Sequence, residues 1–150
     1  MNEVPILELE ATRRFVQVSL PVDDVAVAIA RAMVRRVTTF ASDDAESSFL
    51  IALTEVVSNA VDEHRDAGVV DPVVMTIDYE SAEVVYVTDR GRGFDDRSML
   101  PPTGMADVEE TDQSGRGLAL ARAFVPGIKF DSDDSGTTVS LPMVGIGIVR

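Results

Sequence analysis

The longest run of helical periodicity in the sequence extends from Ser42 to about Arg65. Ser42 is a suitable N-cap, and Asp43 and Asp44 place carboxylates at the positive end of a helix. Gly68 suits the helix exit because glycine adopts the left-handed conformation without strain. The apolar side chains form one stripe: Phe49, Leu50, Leu53, Val56, Val57, Ala60 and Val61. A helix with such a stripe must pack against another layer.

The flanking segments predict strands and two further helices. Alternation in Arg14 to Leu20 predicts a strand, and Asp23 and Asp24 suit the start of a helix over Val25 to Phe40. Its apolar stripe is expected to be Val27, Ala30, Val34 and Val37. The remaining predicted elements are a hairpin of Pro72 to Tyr79 and Glu83 to Thr88, a helix over Leu118 to Val125, and a hairpin of Ile128 to Asp131 and Thr137 to Met143.

This order of elements predicts an α+β fold. We expect a two-layer sandwich with the helices on one face of a mixed, mainly antiparallel sheet. With 150 residues, the chain is expected to form a single domain over residues 1–150. The apolar segment Val144 to Val149 is interpreted either as an extra strand or as an interface.

Charge and composition exclude several classes of function. The sequence has 26 acidic and 13 basic residues, so it repels phosphate backbones and nucleic-acid binding is not expected. It has no cysteine and one histidine, which argues against disulfides, a zinc site and a histidine-based triad. No secretory signal opens the chain and the aliphatic stretch Val25 to Ala30 is too short to span a membrane, so we expect a cytoplasmic protein.

The first motif with chemical potential is Glu55-Val56-Val57-Ser58-Asn59-Ala60. Glu55 and Asn59 are four residues apart and share a helix face with Asp62. A carboxylate there can polarise an attacking hydroxyl, and an amide oxygen is a hard ligand suited to Mg²⁺. The alternative interpretation is an ordinary solvated helix face.

The second motif, Asp89-Arg90-Gly91-Arg92-Gly93-Phe94, begins a long polar loop that extends to Gly117. An Asp at the end of a strand can accept a hydrogen bond from the amino group of a base, and glycines let the backbone approach a flat ligand. A glycine-rich turn that leaves a strand is the simpler alternative.

The third motif, Ser114-Gly115-Arg116-Gly117-Leu118, precedes the expected third helix. Free amides at a helix N-terminus bind phosphate, and Arg116 adds a charge-assisted contact. The glycine spacing does not match a Walker A loop, and no Lys follows. A Rossmann fingerprint is excluded because Gly115 and Gly117 follow a long loop and not a strand. A plain junction between loop and helix remains the alternative.

Together with Gly136-Thr137-Thr138-Val139, these motifs resemble in order and spacing the N, G1, G2 and G3 boxes of the GHKL ATPases. That superfamily has the Bergerat ATP-binding fold. The resemblance covers about residues 14 to 143. Within it, the Thr54 to Ala60 segment is most similar to the small bacterial anti-sigma-factor serine/threonine kinases.

The resemblance implies roles for individual residues. Glu55 would be the general base, and Asn59 would coordinate the Mg²⁺ that bridges the ATP phosphates. Asp89 would accept from the adenine amino group, with Thr137 nearby through water. Asp95 to Gln113 would form a lid over ATP. The other nucleotide-binding residues would be Gly91, Gly93 and Phe94 of the G1 box and Ser114, Gly115, Arg116, Gly117 and Leu118 of the G2 box.

The function implied is an ATP-binding anti-sigma factor with serine/threonine kinase activity. It would sequester a sigma factor and phosphorylate a STAS-domain antagonist on Ser or Thr. A homodimer is expected, with no direct contact to nucleic acid or to a membrane. Arg97 is the only basic residue from Asp95 to Gln113. Few positive charges near the γ-phosphate leave open a partner-switch module that binds ATP and proteins without phosphotransfer.

Two other interpretations remain. A histidine-kinase fragment is disfavoured because the single histidine, His64, follows Asn59 instead of preceding it on a dimerisation helix. His64 is interpreted as a surface residue near a helix end. The other is a binding module without nucleotide, in which basic side chains contact protein partners. Those side chains can equally be an ordinary solvated surface. They are Arg13, Arg14, Arg31, Arg35 and Arg36.

Overall fold

The computed structural model describes residues 9–11, 15–78, 84–90, 113–143 and 148–149. Three helices and eight strands lie within these ranges. In chain order they are β1 (Leu9–Ala11), β2 (Phe15–Leu20), α1 (Val25–Val37), β3 (Thr39–Phe40), α2 (Asp43–Ala67), β4 (Val73–Asp78), β5 (Val84–Asp89), α3 (Gln113–Phe124), β6 (Lys129–Asp133), β7 (Gly136–Pro142) and β8 (Ile148–Val149).

The main sheet has six strands in the order β1-β2-β4-β5-β7-β6. Every pairing between these described strands is antiparallel, so the parallel component expected of a mixed sheet is not found among them. The α+β class and the mainly antiparallel sheet are confirmed. A second, two-stranded sheet joins β3 to β8.

One face of the main sheet forms the core. Val18, Met75, Val87 and Val139 lie side by side across four strands, and all four are buried. Helices α1 and α2 contact the sheet, and α2 also packs against α3. Full burial of an aliphatic side chain stabilises a fold by about 1.5–3 kcal/mol, so this row holds the helical layer to the sheet. The predicted two-layer arrangement is therefore confirmed.

Helix α2 has the caps that the sequence predicts. The Ala45 N–H donates to the Ser42 Oγ over 3.0 Å at the N-terminus. At the other end Gly68 has φ +73°, and the Val69 N–H donates to the His64 carbonyl over 2.8 Å. All seven residues of the predicted apolar stripe are buried.

Two predicted helix boundaries change, and one open alternative is resolved. Helix α1 ends at Val37 instead of Phe40, because Thr38 is extended and residues 39–40 pair with β8. That pairing also identifies Ile148–Val149 as a strand, one of the two interpretations of the apolar C-terminal segment. Helix α3 begins at Gln113, five residues before the expected Leu118, so the end of the predicted long loop is helical.

Candidate functional site

Helix α2 carries Glu55 and Asn59 on successive turns. Glu55 is half-buried, whereas Asn59 is only 7% exposed. The Asn59 Oδ1 is buried and has no hydrogen-bond partner among the residues that the structure describes. A buried polar atom without a partner costs about 1–3 kcal/mol. A solvated helix face does not account for Asn59, whose buried oxygen is available to accept a hydrogen bond or to contact a cation.

Asp89 and Thr137 form a buried polar pair at one end of the core face. They are cross-strand partners on β5 and β7, next to the apolar pair of Val87 and Val139. The Thr137 hydroxyl also lies 3.0 Å from the Ser132 Oγ on β6. The structure thus brings together two residues that the sequence assigned to one site, although they are far apart in the chain.

Gly136 allows β7 to approach the end of β5. Its φ is +144°, and a Cβ at this position would come within 2.9 Å of the Arg90 Cα and would overlap the Asp89 backbone. Only glycine fits such a contact, which makes Gly136 a structural requirement of the site. The sequence marked Gly136 as part of a motif, but its contact with Asp89 was not predicted.

His64 is fully buried, which corrects its interpretation as a surface residue. Its Nδ1 lies 2.8 Å from the Asp71 carbonyl oxygen, and its Nε2 accepts the Arg90 N–H over 2.8 Å. The ring therefore links the end of α2, the segment before β4 and the residue after Asp89. Its position five residues beyond Asn59, on a helix with a buried stripe, was the one available signal for this role.

The third motif lies inside α3 and not ahead of it. Residues 113–117 are helical, so Ser114 and Gly115 belong to the first turn, whose N–H groups lack intrahelical partners. Gly117 lies beyond those free amides. Leu118 is buried and packs into the core, which indicates a structural role for its side chain. The amides available to an anion are therefore those at the start of the motif.

Arg31 lies close to the Glu55 turn of α2. The Arg31 Nη1 donates to the Thr54 Oγ1 over 2.9 Å, and the Thr54 hydroxyl donates to the Leu50 carbonyl over 2.8 Å. Arg35, also on α1, forms a salt bridge with Glu46 of α2, with the Arg35 Nε 2.8 Å from the Glu46 Oε2. Both arginines thus have partners within the chain, and they join α1 to α2 instead of forming a purely solvated face.

Several predicted site residues lie outside the described residues: Gly91, Gly93, Phe94 and the part of the expected lid from Asp95 to residue 112. Arg13 and Arg14 lie outside them too. In the described ranges no cluster of three or more His, Cys, Asp or Glu residues has the arrangement of a metal site. None of the described helices is long and apolar enough to cross a membrane.

Comparison with known proteins identifies relatives of this arrangement. A family model described as a histidine kinase-like ATPase domain matches residues 20–143. The crystal structure of the RsbU and RsbW domains of Rv1364c from Mycobacterium tuberculosis is similar, with a TM-score of 0.57 and 21% identity over 87% of this chain and 32% of that chain. This chain therefore spans about a third of the chain in that structure.

A second solved structure, the histidine kinase domain of the blue-light activated histidine kinase from Erythrobacter litoralis EL346, aligns with a TM-score of 0.43 and 13% identity. The alignment covers 89% of this chain and 70% of that one. No curated protein matches the sequence.

Proposed function

The chain belongs to the histidine kinase-like ATPase domain family, and from this membership we propose that it is a regulatory protein that binds ATP together with Mg²⁺. The family match confirms the resemblance drawn from the four motifs. An ATPase domain implies ATP binding. The metal, the partners and the reaction are parts of the proposal.

The observation that carries the proposal is the buried Asn59 Oδ1 without a described partner. An amide oxygen is a hard ligand of the kind that Mg²⁺ accepts. The orphaned atom fits this use, because a metal bound by ATP phosphates would provide the interaction that the protein leaves open. Mg²⁺ in such a site would neutralise phosphate charge, which matters in a chain with a net charge of −13.

The base-binding part of the site is proposed at Asp89 and Thr137. Both are buried, and a carboxylate in this position accepts a hydrogen bond from an exocyclic amino group. Gly91, Gly93 and Phe94 are proposed to line the same pocket. The phosphates are proposed to contact the start of α3, through the first-turn amides of Ser114 and Gly115 and the side chain of Arg116.

Calorimetric titration with ATP, with and without Mg²⁺, tests binding. We expect Mg²⁺-dependent heat for the wild type and loss of that dependence in Asn59→Ala. Because the substitution removes a buried polar atom without a partner, its unfolding midpoint without nucleotide should be unchanged or higher. Asp66→Asn, at an exposed position on the same helix, is the matched control. No heat and no thermal stabilisation at millimolar ATP would overturn the proposal.

For the reaction we propose serine/threonine protein kinase activity in a partner switch. The protein would bind a sigma factor, as a homodimer, and phosphorylate a STAS-domain antagonist. Glu55 would accept the proton of the target hydroxyl as the hydroxyl oxygen bonds to the γ-phosphorus. The bond between the γ-phosphorus and the oxygen that bridges it to the β-phosphate would break, and ADP would leave. The support is the Thr54 to Ala60 motif and the half-buried Glu55 one turn before Asn59.

Phosphotransfer to a STAS-domain protein tests this reaction. Glu55→Gln should lower the rate by roughly 10²- to 10⁴-fold, because the amide cannot act as a base, while ATP affinity is retained. Asp66→Asn, at an exposed position on the same helix, is again the control. Equal rates for Glu55→Gln and wild type would overturn the role of Glu55. ATP binding and partner binding without transfer by the wild type would support the alternative module that regulates by contact alone.

A further inference from the structure

His64 connects three parts of the chain that are separate in sequence. It stands on α2, its Nδ1 contacts the Asp71 carbonyl and its Nε2 contacts the Arg90 N–H, each over 2.8 Å. Arg90 directly follows Asp89, so the second contact fixes the peptide group that joins them. The same peptide is confined from the β7 side by Gly136, where a Cβ would come within 2.9 Å of the Arg90 Cα.

These partners determine the protonation state of the ring. A backbone N–H only donates, so Nε2 must present its lone pair to Arg90. A backbone carbonyl only accepts, so Nδ1 must carry the hydrogen that points to Asp71. The observed contacts therefore require neutral histidine with its hydrogen on Nδ1. A proton added at Nε2 would place two donors against each other in a buried position.

We infer that His64 is a positioning residue of the nucleotide site, which holds the Asp89–Arg90 peptide in place through its neutral Nε2, and that its protonation weakens ATP binding. The inference rests on the proposed ATP-binding function. The role of His64 goes beyond that function, because His64 itself is assigned no contact with ATP. Acidification would release the Arg90 N–H and loosen the backbone that carries the Asp89 carboxylate.

The ionisable groups of the segments that meet at the ring are few. Asp71 and Arg90 form a salt bridge with each other, with the Arg90 Nη1 3.4 Å from the Asp71 Oδ2. Asp89 precedes Arg90 on β5. On α3, the described ionisable side chain is Arg122, which lies over the Phe130 ring at 5.5 Å. On α2 itself, the sequence neighbours are Glu63, Arg65 and Asp66.

A pair of variants separates the two contacts of the ring. His64→Gln places an amide oxygen near the position of Nε2, so it keeps an acceptor for Arg90 but does not titrate. His64→Asn places its amide near Nδ1, so it keeps the link to Asp71 and loses the acceptor for Arg90. Neither variant can take up a proton at residue 64, so the two are distinguished by their ATP affinities, which a merely structural histidine would leave alike.

ATP affinity is measured by calorimetry at intervals from about pH 8 to about pH 5. The wild type should lose affinity on acidification. His64→Gln should stay within about threefold of the high-pH wild-type value and show a flatter profile, whereas His64→Asn should bind roughly tenfold more weakly throughout. Thermal unfolding of each variant verifies that it is folded.

Two measurements without nucleotide complete the test. The chain has one histidine, so ¹⁵N NMR reports its tautomer without ambiguity, and we expect the hydrogen on Nδ1. Hydrogen exchange at the Arg90 amide should be faster in His64→Asn than in His64→Gln. A hydrogen on Nε2, or a His64→Gln pH profile equal to that of the wild type, would overturn the inference alone. Absence of ATP binding by the wild type at about pH 8 would overturn the proposed function and this inference with it.

Discussion

Asp89 and Thr137 face each other across β5 and β7 as a buried polar pair, next to the apolar pair of Val87 and Val139. The pair lies at the end of the core face, beside α2 and at the start of the second motif.

The Asp89 carboxylate should be required for ATP affinity. Asp89→Asn replaces a carboxylate, which only accepts hydrogen bonds, with an amide group that both accepts and donates. The proposed charge-assisted hydrogen bond to the base is lost, so we expect roughly 10- to 100-fold weaker ATP binding by calorimetry. Asp134→Asn, in the exposed turn between β6 and β7, is the control. Affinity equal to that of the wild type, in a variant with normal thermal unfolding, would remove Asp89 from the site.

Gly136→Ala should destabilise the fold strongly. The added Cβ would overlap the Asp89 backbone, and the φ of +144° is unfavourable for alanine, so we expect a loss of about 3 kcal/mol or more in urea unfolding. Gly68→Ala is the matched control, because its φ is +73° but no atom lies within 4 Å of the added Cβ. It should cost about 1–2 kcal/mol. Equal losses would show that the approach of β7 to β5 is not tight.

Ser42→Ala should weaken the N-terminus of α2. The substitution removes the acceptor for the Ala45 N–H, and loss of an N-cap costs about 1 kcal/mol. Ser47→Ala, at an exposed position within the same helix, should change the free energy of unfolding by less than about 0.5 kcal/mol. If urea unfolding shows the same small change for both variants, the cap contributes nothing measurable.

The turn between β6 and β7 should show a pH effect. The hydroxyl and then the backbone N–H of Ser135 donate to Asp133, over 2.7 and 2.8 Å, and they lower the pKa of that carboxyl below its usual 3.8. A carboxyl whose pKa is lower in the folded state stabilises the fold at pH values above its unfolded-state pKa. This stabilisation is lost as the pH falls through the folded-state pKa. The contribution should therefore be present above about pH 3.8 and decline as the pH falls below it.

Ser135→Ala tests this turn. It removes the hydroxyl donor and leaves the N–H, so NMR titration should show the Asp133 pKa moving upward, part of the way to 3.8. Ser140→Ala, on β7 away from the turn, is the control. An unchanged Asp133 pKa in Ser135→Ala would show that the hydroxyl contact is not made in solution.

The sequence determined the features that depend on near neighbours. Helix α2, its Ser42 cap and its Gly68 exit follow from residues within a few positions of each other, and so does its apolar stripe. The β-branched residues of Pro72 to Tyr79 and Glu83 to Thr88 likewise predict the central hairpin, which the structure has as the antiparallel pair of β4 and β5. The order of the motifs was enough to predict the family that the comparisons confirm.

Only the tertiary structure decided which polar residues are buried and what they contact. His64 and Arg90 are 26 residues apart, and their hydrogen bond exists because the end of α2 packs beside the end of β5. The short β3–β8 pairing and the tight approach of Gly136 to Asp89 also join distant segments. Periodicity and capping report contacts within a few residues, whereas these contacts depend on how whole elements dock, and no local pattern encodes that.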